Sequence, residues 1–271
     1  MLSKKKIRLS KEKETLLVPL YCKAKEVSNY KPIIKDDKAK EIISQIEYDF
    51  KELNVPKKTC VTLNIRAHKI DDYVQSFIQK YPNATVIHLG CGLDNRYGRL
   101  KNKNIQFYDL DYKEVIELKK NFYQETDHYH FLASSVINYA WLEEIKTEGR
   151  VIIVAEGLLM YLTEENVKKL FNKLSNSFPK VHLVFDAYSS FTAKNINKHS
   201  SIQKTEADIY WGIDDPHEIE DWNDKFKLQE EWYFTDYEHF DKLSAAYRVA
   251  FKTAGLFKSA KKAHRILYFK L

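Results

Sequence analysis

The chain has 271 residues, of which 44% are hydrophobic and 30% charged, and its formal net charge is +6. That length suits one α/β domain with insertions or two small domains, with apolar residues enough for a large core. No apolar run approaches the roughly eighteen residues of a membrane span, no Lys/Arg stripe interleaved with aromatics marks a nucleic-acid surface, and Cys22, Cys60 and Cys91 form no C-x-x-C pair that would signal a disulfide framework or zinc site.

The expectation is therefore a reduced, cytoplasmic protein with no nucleic-acid, membrane or metal partner. Residues 1–14 are charged, and Lys4, Lys5 and Lys6 have no apolar stretch behind them. Residues 15–80 read as helical, which makes 1–80 an N-terminal helical extension. Ala39, Ile42, Ile43, Ile46 and Phe50 recur at helical spacing, as do Ile70, Tyr73, Val74, Phe77 and Ile78. Pro82 and Asn83 then break the chain. From residue 81 to 271 the pattern predicts a sheet domain. Short apolar runs at 85–89, 105–110, 129–133, 150–155 and 181–185 read as buried strands, with helices at 114–122 and 164–174 between them and Thr163 as an N-cap. Strands alternating with helices predict a doubly wound α/β sheet. Residues 188–240 are polar and aromatic and read as a lid insertion over the sheet's carboxyl edge. A helix near 240–253 follows, and 256–260 and 264–271 read as two closing antiparallel strands, for about seven in all.

One constellation carries chemistry. The first strand runs into Gly90-Cys91-Gly92, and Asp111 ends the second. Glycines at a strand's carboxyl end let backbone approach a ligand, and an acid ending the next strand can accept both ribose hydroxyls of an adenosine cofactor. A dinucleotide would require a third glycine where Asn95 stands, and Asp94 would repel a pyrophosphate. S-adenosylmethionine has no phosphate, so these residues favour it, with S-adenosylhomocysteine as product. Glu156 ends the most apolar strand, a costly place for an acid outside a site. Arg66 and Lys23, taken alone, read as ordinary surface cations, and the tryptophans of the insertion as packing residues.

At these motifs the chain resembles the leucine carboxyl methyltransferase family. The segment Leu89-Gly90-Cys91-Gly92-Leu93-Asp94-Asn95-Arg96 carries the likeness, with Glu156-Gly157-Leu158-Leu159-Met160-Tyr161. The stretch from Thr15 to Glu26, Trp211-Gly212-Ile213-Asp214-Asp215 and Arg265-Ile266-Leu267-Tyr268 fit its tetracenomycin-synthesis-type O-methyltransferase branch. The resemblance implies a class I, Rossmann-like methyltransferase fold of seven strands. It also implies that Gly90 and Gly92 line the cofactor and that Asp111 holds its ribose. Arg66 and Lys23 would meet or flank its carboxylate, Ser134 and Ser135 its adenine, and Glu156 its methionine moiety. Tyr161 would face the transferred methyl group and the acceptor.

Two departures narrow the expectation. Asn95 stands where Thr is commoner, and Ser134-Ser135-Val136 replaces the Asp-Leu-Arg of the protein-phosphatase enzymes. No general base stands out, and a carboxylate needs none because it is already ionised at neutral pH. The acceptor expected is a small-molecule carboxylic acid, with a hydroxyl as fallback. A protein C-terminal leucine carboxylate and a non-catalytic cofactor-binding protein are the alternatives.

Overall fold

A computed structural model describes residues 5–6, 13–147, 149–196 and 208–271. Part of the expected lid, 197–207, therefore lies outside the described residues, as does most of 1–14.

Three helices precede the sheet: α1 (Leu17–Glu26), α2 (Asp37–Gln45) and α3 (Lys57–Lys80). The strands β1 (Thr85–Leu89), β2 (Gln106–Asp111), β3 (Tyr129–Ala133), β4 (Val151–Ala155) and β5 (Val181–Tyr188) follow. A single turn of helix, α4 (Arg96–Arg99), then α5 (Lys113–Lys119), α6 (Glu164–Ser177) and α7 (Ser190–Ile196) lie among and after them. Then come β6 (Lys227–Tyr233), α8 (Ala245–Gly255), α9 (Lys258–Lys262) and β7 (His264–Lys270). Every residue of β1 and β4 is buried, which is why both read as unbroken apolar runs: a central parallel strand is covered on both faces.

The seven strands form one sheet in the order β3-β2-β1-β4-β5-β7-β6. The first five are parallel, and β7 is antiparallel to both β5 and β6. One face is covered by α3, whose Ile65, Ile70, Val74 and Phe77 share a core with Val86, Ile152, Val184 and Ile266. The other is covered by α6, whose Val167, Leu170, Phe171 and Leu174 meet Ile87, Ile153, Phe185 and Phe269. The Thr163 hydroxyl accepts from the Asn166 N–H and caps α6, as its residue type predicts. A third core joins α1 and α2 through Leu17, Leu20, Ala39 and Ile42 to Leu93, seating the N-terminal helices over the loop that leaves β1. Between β1 and β4 the strand order reverses, which opens a crevice at the carboxyl edge.

Two expectations are corrected. Residues 256–260 are not a strand: Leu256 and Phe257 are exposed and lead into α9, and β6, from within the expected lid, pairs with β7 instead. Cys22 and Cys60 are disulfide-bonded, their Cα atoms 4.8 Å apart, which ties α1 to α3; Cys91 is free and buried. The pair is made by two helices meeting in space, a contact that no local spacing announces. Among the described residues no helix is long and apolar enough to cross a membrane.

Candidate active site

The chain leaves β1 through Gly90, whose φ of +63° is one that L side chains rarely adopt, and a Cβ built there would lie 3.0 Å from Leu158 Cδ1. The next turn faces β2: the Gly92 N–H donates to Asp111 Oδ2 at 2.8 Å, and the Tyr112 N–H donates to Oδ1 at 2.7 Å. Burial pushes the Asp111 carboxyl above its ordinary value, with these two N–H groups pulling the other way. The half-buried Ser134 and Ser135 follow β3, and the Ser134 N–H donates to the Asp111 carbonyl at 2.9 Å.

The glycine loop is pinned from behind by groups the sequence did not reveal. Lys119, fully buried on α5, places its ammonium 2.8 Å from the Asp94 carbonyl, 3.3 Å from that of Gly92 and 2.9 Å from the Asp109 carboxylate. The Tyr123 hydroxyl donates to the Leu93 carbonyl at 3.0 Å. Burial would lower the Lys119 pKa, but Asp109, Cys91 and Asp94 together outweigh it and raise the pKa.

At the other end of the crevice lies a buried network of ion pairs. Arg66 Nε lies 3.0 Å from Glu156 Oε1, and its Nη1 lies 2.8 Å from Asp186 Oδ2. Arg96 bonds the other Glu156 oxygen, and its Nη1 lies 2.6 Å from Asp71. Lys23 sits on Asp94 at 2.7 Å, and Arg99 joins Asp94, Asp71 and Asp36. Burial alone would raise the carboxyls of Glu156 and Asp94. The surrounding guanidinium groups and Lys23 reverse the sign and hold both below the usual carboxylate range. Arg66 is thus no surface residue: it is 5% exposed.

The predicted residues fall into three groups along this edge. Gly90, Gly92, Asp111, Ser134 and Ser135 gather at β1, β2 and β3. Arg66, Glu156, Asp94 and Lys23 form the charged network. Tyr161 ends the short helix Leu159–Tyr161 and packs with Met160, Tyr188, Ala193 and Ile209. Burial raises its hydroxyl pKa, with Arg66 opposing. The Met160 carbonyl accepts from the N–H groups of Tyr210 and Trp211 at 2.9 and 3.2 Å, which latches 208–213 onto this turn. Trp211 and Trp232 are buried in the cores, as packing residues.

Sequence reasoning missed Asp186, Arg96, Arg99, Lys119 and His264. Asp186 carried a readable signal, since it ends an apolar run just as Glu156 does. His264 Nε2 lies 2.8 Å from Asp186 Oδ2, and burial lowers its pKa, with Asp186 opposing.

Comparison with known proteins gives this arrangement a family. The family model for leucine carboxyl methyltransferase matches residues 18–175, more than half of the chain. The tetracenomycin polyketide synthesis O-methyltransferase TcmP of Streptomyces glaucescens is 31% identical over 231 residues, spanning 85% of this chain and 86% of that protein. The S-adenosyl-L-methionine-dependent methyltransferase dpfgK of Gibberella zeae is 28% identical over 241 residues, 81% of each chain. In fold, the chain is similar to a DUF574 family protein from Streptomyces avermitilis (TM-score 0.57, 10% identity, 78% of this chain and 84% of that one). It is also similar to the plantazolicin methyltransferase BamL, solved with a triazolic desmethylPZN analogue and S-adenosylhomocysteine (TM-score 0.50, 11% identity, 94% and 97%). The chain belongs to the leucine carboxyl methyltransferase family and is an S-adenosylmethionine-dependent O-methyltransferase.

Proposed function

We propose that the chain methylates the carboxylate of a small molecule in the cytoplasm. In this reading residues 1–80 form a helical extension, 81–271 the methyltransferase domain, and the insertion 188–240, apart from its sheet strand β6, a lid over the acceptor. The observation that carries the site is Asp111. Its carboxylate is held by two backbone N–H groups beside the glycine turn and keeps lone pairs for the two ribose hydroxyls. Gly90 and Gly92 line the cofactor, Ser134 and Ser135 flank its adenine, and Arg66 receives its carboxylate. Glu156 accepts from its ammonium, and Lys23 steadies Asp94 beside the same end.

The cofactor supplies a methyl group already activated by its sulfonium. The protein's share is alignment of an oxygen nucleophile with that carbon and removal of water from between them. Tyr161 orients the acceptor oxygen. Support for a small acid comes from the 31% identity to an O-methyltransferase of polyketide synthesis and from Ser134-Ser135-Val136.

A hydroxyl acceptor is the second reading, and one observation favours it. His264, at the carboxyl edge, has its imidazole pKa lowered by burial, with Asp186 opposing, and is a candidate base that the sequence did not reveal. Radiolabelled methyl transfer to small acids, small phenols and a phosphatase C-terminal peptide separates the readings. Base-labile product from small acids is expected, since methyl esters hydrolyse in alkali. Base-stable product alone would move the acceptor to a hydroxyl, turnover on the peptide alone to a protein C-terminus, and no transfer despite cofactor binding to a non-catalytic role. Tyr161→Phe should lower turnover more than S-adenosylhomocysteine affinity.

A further inference from the structure

Asp186 lies two residues before the end of β5 with its side chain fully buried, and three donors converge on it. Arg66 Nη1 and His264 Nε2 each lie 2.8 Å from Oδ2, and the Gly157 N–H donates to Oδ1 at 2.6 Å. These donors come from three separate elements: α3, β7 and the turn after β4. We propose that Asp186 is a positioning residue of the cofactor site, holding the Arg66 guanidinium and the Gly157 turn in the one arrangement that presents Arg66 to the cofactor's carboxylate. The proposal rests on the reading above that Arg66 receives that carboxylate.

The geometry explains why one acid is not enough to aim Arg66. A guanidinium is a planar fork of five N–H donors, and its plane must be fixed before it can offer two of them to a carboxylate. Glu156 holds Nε alone and would leave the plane free to turn about that contact. Asp186 holds Nη1 and closes off that rotation, so Nη2 is the nitrogen left to face a ligand. Gly157 lies against Nη2: a Cβ built on it would stand 3.0 Å from that atom, and its φ of +65° disfavours any side chain. The turn therefore leaves Nη2 space that only glycine allows, and the Asp186 carboxylate that anchors the turn also anchors the guanidinium.

An acid beside Arg66 also works against binding an anion, and the other donors limit that cost. The ionised Asp186 spreads its charge over the His264 N–H and the Gly157 N–H as well as Arg66. Burial would raise its carboxyl pKa, but Arg66, His264 and the Gly157 N–H together outweigh that and hold it well below the usual range. The gain is preorganisation: the ordering of a long, flexible side chain is complete before the ligand arrives.

The test compares two ligands, by calorimetry, on wild type and Asp186→Asn. S-adenosylhomocysteine carries the amino-acid arm, and 5′-deoxy-5′-methylthioadenosine lacks it. The Asn variant keeps the shape and an oxygen for Gly157 but loses the negative charge that faces Arg66. Expected is about a tenfold or greater loss of S-adenosylhomocysteine affinity, with methylthioadenosine changed by less than about twofold. A merely structural role would weaken both ligands alike or neither, and either result overturns the proposal. Should Asp186→Asn fail to fold, Gly157→Ala crowds Nη2 while leaving every charge in place, and the same selective loss is expected; equal losses would refute it. A wild-type protein that binds both ligands equally well would remove the role of Arg66 itself, and the positioning role with it.

Discussion

At the scale of single residues, the carboxyl edge is an assembly of ionised groups out of water, and its energetics follow from pairing. Removing one partner of a buried pair costs more than the pair contributes, because the other charge is left uncompensated. Arg66 shows how far this was legible. A cation before an amphipathic helix reads as solvated, and only the family likeness pointed to a site; its partners Glu156 and Asp186 are 90 and 120 residues away in sequence. Glu156 could be read directly, since an acid closing an all-apolar strand demands a partner. The same groups set the response to acid. Asp94, Asp109, Glu156 and Asp186 all have carboxyls held below their ordinary values, after their charged partners outweigh burial. Each contributes stability that is present above the unfolded pKa of about 4 and lost as pH falls through the lower folded value. Asp111, raised by burial, acts in the opposite sense, contributing stability at low pH that is lost as pH rises through its folded value. Four groups against one should make chemical-denaturation stability fall steeply below about pH 4. Stability that stays level or increases from pH 5 to pH 3 would contradict the ionised network.

At the scale of elements, the central strands were readable because burial on both faces leaves no choice of residue, whereas the edge strand was hidden by its own design. Five of the seven residues in β6 are Lys, Gln, Glu or Tyr, only Trp232 is buried, and a bulge lies between Leu228 and Glu230. Charges and a bulge are what keep an exposed edge from pairing with another chain, and they erase the apolar alternation that identifies a strand. Leu256 and Phe257 imitate that alternation yet stand exposed before α9. The support of the glycine loop was equally hidden, since Lys119 in a Lys-rich helix looks like any solvated side chain. Lys119→Met should leave the Asp109 carboxylate without its ammonium partner, with Tyr129 and His88 still beside it, and free the carbonyls of Gly92 and Asp94. A stability loss of about 3–5 kcal/mol is expected by denaturant titration, the cost typical of breaking a buried pair. A change below about 1 kcal/mol would show that the ammonium does not hold the loop.

At the scale of the whole molecule, the sheet order places β1, β2, β4 and β5 so that their carboxyl ends converge on one crevice, and α3 delivers Arg66 to it from the flank. The doubly wound fold and the residues of the proposed cofactor edge were legible because strand runs, glycine turn and acids are local signals. The proposed acceptor side was not, because the segment assigned to it is irregular and its contacts, such as Tyr210 and Trp211 on Met160, are tertiary. The proposed arrangement of the cofactor along this edge underlies every role assigned to a side chain. A crystal structure of the S-adenosylhomocysteine complex measures it most directly. Expected are both ribose hydroxyls on Asp111, the adenine beside Ser134 and Ser135, and the ligand carboxylate on Arg66. A ribose bound away from Asp111, or an Arg66 still bonded only to Glu156 and Asp186 with the carboxylate elsewhere, would contradict it.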